Sequence, residues 1–141
     1  DRKKSIIVTS SGKNVAPAPL ENALATSSYI EQVMVIGDKR NFISALIVLS
    51  IESISNYLES EGKSVSSSQA MTDHPLVVEL INNEVTRFME NFSNYERIKK
   101  TLLLAEPFSI EKGELTPKLS IVRKVVLRNY NDEIDNLYKE S

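Results

Sequence analysis

Cysteine is absent from all 141 residues, which excludes disulfides, thiolate metal sites and a cysteine nucleophile. A reducing cytoplasm is the expected setting. No apolar run approaches the roughly twenty residues that a membrane span needs, and a domain without a signal peptide is expected. The chain opens without an initiator Met, from which a piece of a longer protein is expected. An excess of either charge is also lacking. Lys and Arg number 17 against 19 Asp and Glu, so the formal net charge is -2 and no global basic field favours nucleic acid. Histidine is reduced to His74, which sits before Pro75 in a helix-start signal. With no second His and no Cys, that signal assigns it a structural role and leaves no metal site. No internal repeat appears, and the length suits one domain over 1–141.

What is present reads as alternating short strands and amphipathic helices. Ser5 to Thr9 is rich in β-branched residues, Ser10-Ser11-Gly12-Lys13 is turn chemistry, and Val15 extends a second strand, which together predict a small hairpin. Pro17 and Pro19 end the extended structure, and Pro19 suits the first turn of a helix running to about Ser28. Ile30 to Ile36 and Phe42 to Leu49 flank the turn Gly37-Asp38-Lys39-Arg40-Asn41 and predict an antiparallel hairpin. Neither strand alternates cleanly, so both faces of the sheet are expected to be covered. Ile51 to Leu58 suits a short helix, and residues 59–71 an exposed Ser-rich loop. Asp73 or His74 caps the clearest helix, whose apolar stripe runs from Leu76 to Phe92. Thr101 to Leu104 reads as a third core strand, Pro107 to Ile110 as a further short one, and Ser120 as the cap of a last helix. The fold class is α+β: a small antiparallel sheet of about three core strands, helices on both faces and an N-terminal hairpin.

Several charged groups have plain surface readings. Glu111 and Glu114 flank Gly113 as exposed turn residues, and Asp132, Glu133 and Asp135 form the solvated face of the last helix. Arg97, Lys99 and Lys100, and later Arg123, Lys124 and Arg128, are either solvated surface or attraction for a phosphate-rich ligand. The interleaved aromatics of a nucleic-acid binder are missing. Two segments carry more chemistry. Gly12-Lys13-Asn14-Val15-Ala16-Pro17-Ala18-Pro19-Leu20-Glu21 sets a position without a side chain beside a cation, which permits close backbone approach to a thin ligand. Gly113-Glu114-Leu115-Thr116-Pro117-Lys118-Leu119-Ser120, followed by Arg123-Lys124, presents cations to a developing negative charge.

In this order and separation, the two segments resemble the C-terminal domain of long-chain fatty-acid–CoA ligases, AMP-forming acyl-CoA synthetases of the acyl-adenylate-forming superfamily. Ile30 to Arg40 resembles that family's central strand and turn, and Asn94 to Lys100 its approach to the next strand. The resemblance implies that fatty acid and ATP first form an acyl-adenylate, after which the small domain rotates and coenzyme A attacks. It implies ATP, Mg2+ and coenzyme A in the full-length enzyme and none held by this domain alone. The partner would be the N-terminal adenylation domain of the same chain. It assigns Asp1 to the hinge, and Gly12, Lys13 and Asn14 to the coenzyme A channel. The family's C-terminal loop generally supplies a lysine within a pattern like Pro-Lys-Thr-x-Ser-Gly-Lys. Counted from Pro117, that lysine falls on Arg123, or on Val122 with one residue deleted, leaving Lys118, Arg123 and Lys124 as candidates for the catalytic cation. Val8 stands where many relatives carry another lysine. No Gly/Ser/Thr-rich phosphate loop is present, so the isolated chain is expected to be inactive. A lipid substrate is compatible with peripheral contact at the inner face of a membrane. The alternative is a non-catalytic α+β module that uses its basic clusters to bind an anionic partner.

Overall fold

Residues 6–65 and 67–139 are described by a computed structural model of the chain, and two sheets organise them. Strands β1 (Ile7–Val8) and β2 (Asn14–Val15) form the expected small hairpin. Strands β3 (Ile30–Ile36), β4 (Ile43–Leu49) and β5 (Ile98–Leu104) form the main sheet in that spatial order. Helix α1 (Pro17–Ala25) lies between the hairpin and β3, while α2 (Ile51–Ser60), α3 (Ser68–Met71) and α4 (Pro75–Phe88) connect β4 to β5. The chain closes on α5 (Arg123–Asn129) and α6 (Asn131–Lys139).

Every residue of the central strand β4 is buried, which explains why its sequence does not alternate. Successive side chains still point to opposite faces. Val35, Ala45 and Ile47 enter one core with Leu20 of α1, Ile54 of α2 and Ile81 of α4. Met34, Leu46 and Val48 enter a second core with Phe108, Val126 of α5 and Ile134 of α6. Helices therefore cover both faces, as expected.

The all-antiparallel sheet needs correction. Strands β3 and β4 pair antiparallel, from Ile36 opposite Ser44 to Ile30 opposite Leu49, with an irregularity between Ile30 and Gln32. Strand β5 instead runs parallel to β4, from Ile43 opposite Ile98 to Val48 opposite Leu104. Parallel neighbours need a long crossover, and α2 to α4 supply it by returning the chain to the end where β4 began.

Smaller differences have local causes. The Ser-rich loop is shorter than 59–71, because α2 continues through Ser60 and α3 ends on Met71, which is buried in the first core. Residues Pro107 to Ile110 make no strand; the Phe108 amide donates to Gln32 Oε1 at 2.7 Å while its ring fills the second core. Helix α1 begins at Pro17, which keeps Pro19 within its first turn as expected. His74 is the cap of α4, its Nδ1 accepting from the Leu76 amide at 3.2 Å. Ser120 does not cap the next helix: α5 begins after Val122, and the Ser120 amide donates to Thr116 Oγ1 at 3.2 Å.

Candidate functional site

Thr9 is the residue that shapes the glycine turn, although nothing in the sequence singled it out. Nearly buried at the end of β1, it accepts through Oγ1 from the Lys13 amide at 3.1 Å. Its own amide donates to the Lys13 carbonyl at 3.0 Å, and its carbonyl accepts from the Gly12 amide at 2.9 Å. This closes the loop with Gly12 at φ 88°, a conformation that costs a residue with a side chain. A Cβ built at Gly12 meets nothing within 4 Å, so the side-chain position faces open space. The Lys13 ammonium lies 5.4 Å from the centroid of the Tyr95 ring.

The hairpin is fastened to the turn between β3 and β4. Ser10 N donates to Arg40 O at 2.8 Å, Lys39 N to Val8 O at 2.8 Å, and Val8 N to Asp38 Oδ1 at 3.1 Å. That turn begins at Gly37, where an added Cβ would stand 2.6 Å from Ile43 Cδ1. The glycine loop thus sits on the main sheet's own turn rather than on a free arm. Asp1, the expected hinge, lies outside the described residues.

The second segment is a tight lobe closed by a bridge between Leu115 and Ile121. Within it Thr116 N donates to Ser120 O at 2.9 Å and Leu119 N to Thr116 O at 2.7 Å. Leu119 adopts φ 67° at the tip and is 67% exposed. Lys118 beside it is exposed. The base of the lobe corrects the reading of Glu114 as an exposed turn residue. Its carboxylate is buried, accepting from Ser109 N at 3.3 Å and Asn129 Nδ2 at 2.9 Å. Its carbonyl accepts from Val122 N at 2.8 Å. A buried carboxylate needs such partners, and here they fix both ends of the lobe.

The three candidate cations have different environments. Arg123 is half-buried at the start of α5; Nη1 donates to the Val35 carbonyl at 2.9 Å and Nη2 to Glu21 Oε2. The same Glu21 oxygen accepts from Val35 N at 2.8 Å. Lys118 and Lys124 are exposed. Lys124 lines an open groove of about 840 Å³ between α1 and the strip 119–124. A narrower cleft of about 450 Å³ lies beyond Arg123 and Pro17, which border both spaces, and is lined by Ile6, Asp38, Leu127 and Tyr138.

Much of the remaining basic surface is already engaged. Arg97 donates to the Phe92 and Glu90 carbonyls, and Lys100 to the Leu137 carbonyl at 3.2 Å. Asp135, read as part of a solvated face, pairs with Arg40 at 2.7 Å. Burial raises the phenol pKa of Tyr138, which lines the narrower cleft, and that of Tyr130 beneath the lobe. Among the described residues no group of three His, Cys, Asp or Glu side chains is arranged to hold a metal ion. No helix among them is long and apolar enough to cross a membrane.

Residues 4–141 match the family described as AMP-binding enzyme C-terminal domain. The chain is 38% identical over 141 residues to a long-chain-fatty-acid–CoA ligase of Mycobacterium tuberculosis, covering 99% of this chain and 23% of the relative. It is 33% identical over 158 residues to a long-chain-fatty-acid–CoA ligase of Bos taurus, covering 99% and 22%. Among solved structures, the A domain of a carboxylic acid reductase from Segniliparus rugosus, in complex with AMP and a co-purified carboxylic acid, superimposes with a TM-score of 0.78. There the identity is 25% and the coverage 99% of this chain and 20% of that one. The chain thus spans less than a quarter of the length of these ligases (23% and 22%). By its α+β fold, its paired glycine and lysine segments and a family match over nearly its whole length, the chain belongs to the AMP-binding enzyme C-terminal domains.

Proposed function

We propose that this chain is the C-terminal domain of a longer ATP-dependent fatty-acid–CoA ligase. In the first half-reaction a fatty-acid carboxylate attacks the α-phosphate of ATP, forming an acyl-adenylate and releasing pyrophosphate. In the second, the coenzyme A thiol, losing its proton, attacks the acyl carbonyl and AMP leaves. One observation carries the assignment of this domain to the second step. Gly12 offers a positive-φ backbone with open space at its side-chain position, on a loop otherwise held by hydrogen bonds. A thin pantetheine chain passing there would meet backbone alone, with Lys13 and Asn14 as the neighbouring channel residues.

For the first step the exposed cations Lys118 and Lys124 are the candidates to meet negative charge developing on the phosphate. Arg123 is less suited to that role, because Glu21 and the Val35 carbonyl occupy its guanidinium. ATP, Mg2+ and coenzyme A enter as substrates and metal of the whole enzyme. The partner in catalysis is taken to be the N-terminal adenylation domain of the same chain. Asp1 remains the candidate hinge, and a cytoplasmic enzyme with peripheral contact to the inner face of a membrane is the setting we infer. An anion-binding module is the weaker reading, since Arg97, Lys100 and Arg123 are engaged internally.

The test is turnover of the full-length parent protein with a long-chain fatty acid, ATP, Mg2+ and coenzyme A. Equal amounts of AMP and acyl-CoA are expected from it, and neither product from the 141-residue chain. Absence of both products from the parent, or acyl-CoA made by this chain alone, contradicts the proposal.

A further inference from the structure

The glycine hairpin and the lysine lobe are distant in sequence, yet one ion pair joins their supports. Glu21 lies on α1, into which the hairpin leads, and Arg123 begins α5, into which the lobe leads. The guanidinium reaches across to Glu21 Oε2 and the Val35 carbonyl, while the Val35 amide donates to that same carboxylate oxygen. Three elements, α1, β3 and α5, therefore meet at one point. The pair is largely shielded from water, with side-chain exposures of 28% for Arg123 and 18% for Glu21. Such a pair is costly to break on one side, because the remaining charge loses its partner without regaining full hydration.

We propose that Glu21 and Arg123 form a latch that holds the glycine hairpin and the lysine lobe in fixed relation. Arg123 is then a positioning residue, acting through the lobe that carries Lys118 and the first turn of α5 that carries Lys124. The inference rests on the function proposed above. The latch needs the planar fork of Arg, since two acceptors on different elements are engaged by separate nitrogens. A lysine supplies charge at one point and restores only part of the tie. The competing role, direct contact of Arg123 with a substrate phosphate, makes the opposite demand on Glu21. There the carboxylate would compete for the guanidinium, and neutralising it would leave the first half-reaction intact or faster.

The experiment compares Glu21→Gln, Arg123→Met, Arg123→Lys and the Glu21→Gln/Arg123→Met pair in the full-length parent, each confirmed folded by its thermal transition. Pyrophosphate release without coenzyme A reports the first half-reaction, and acyl transfer in a single turnover reports the second. A latch predicts that Glu21→Gln and Arg123→Met each lower kcat of both half-reactions by about 10- to 100-fold, the scale of a displaced catalytic group. KM for ATP and fatty acid stays nearly unchanged, the double variant is no worse than the worse single one, and Arg123→Lys recovers part of the rate. In the 141-residue chain Glu21→Gln also speeds amide exchange at Leu119, Ser120 and Val122 relative to α4. Full activity of Glu21→Gln beside an inactive Arg123→Met overturns the latch in favour of direct contact. Full activity of both shows the tie to be dispensable and overturns it as well. If the unaltered parent forms no acyl-adenylate, the functional reading fails, and the exchange comparison decides separately whether the two segments are tied.

Discussion

Leu119 and Glu114 show what a one-dimensional reading misses at the scale of a residue. Leu119 holds φ 67° at the lobe tip, where a glycine would rest without strain. Its left-handed backbone is imposed by the Leu119 N to Thr116 O and Thr116 N to Ser120 O hydrogen bonds, a demand that no local pattern in the sequence announces. Left-handed geometry costs a residue with a Cβ roughly 1–2 kcal/mol, and glycine's greater freedom when unfolded returns part of that. Leu119→Gly is therefore expected to stabilise the chain by about 0.5–1 kcal/mol, read as a higher urea midpoint at unchanged slope. A lower midpoint would show that Leu119 is held by contacts rather than strained. Glu114 resembles a turn residue because it follows Gly113, yet its carboxylate is buried by Asn129 and Ser109. Its partner Asn129 lies beyond the lobe, so the burial was invisible to any reading of neighbours. Gly12, by contrast, was legible, because Ser-Ser-Gly-Lys between β-branched residues leaves few alternatives to a turn.

At the scale of elements, periodicity located the strands and main helices but not the direction of the last strand. The run around Thr101 to Leu104 is apolar in either orientation, and only the path of α2 to α4 makes β5 parallel to β4. The final helix also divides. Tyr130 stands between α5 and α6 with φ -111°, and its ring packs edge-on against Phe108 at 6.4 Å, a contact set by tertiary structure. Helix α6 is then tied to the sheet's end. Tyr138 OH donates to the Phe42 carbonyl at 2.9 Å, and the two rings lie 4.5 Å apart. Burial raises the Tyr138 pKa above its ordinary value of 10.0. A phenol with a raised folded pKa stabilises the fold through its neutral form. That contribution is complete below the unfolded value and is lost as pH rises through the folded one. Raising the pH beyond about 10 is therefore expected to loosen α6, with late phenolate absorbance from Tyr138 and Tyr130, of which Tyr138→Phe removes the Tyr138 share. Absorbance lost from the ordinary tyrosine range rather than from the late one on Tyr138→Phe, or exchange in α6 that ignores pH, would contradict the tie.

For the whole molecule, two cores on opposite faces of one small sheet give each working segment a rigid base. The hairpin and α1 belong to the first core, while the lobe and α5 belong to the second. The fold class, the hairpin and the two-sided covering were readable because burial on both faces leaves continuous apolar strands. The different environments of Lys118, Arg123 and Lys124 were not, since they depend on Glu21 arriving from the far end of the chain. The domain alternation proposed above needs a body that moves as a unit, and the proposed latch between the two supports would provide one. The direct test of the central claim is Gly12→Leu in the full-length parent, with the two half-reactions measured separately. The open space around Gly12 leaves the domain folded apart from the cost of positive φ. Adenylate formation is expected to stay within about 2-fold, while transfer to coenzyme A slows by at least about 10-fold, or roughly 1.4 kcal/mol in the barrier. Transfer that keeps its rate, or an equal loss in both steps, would contradict a channel at Gly12.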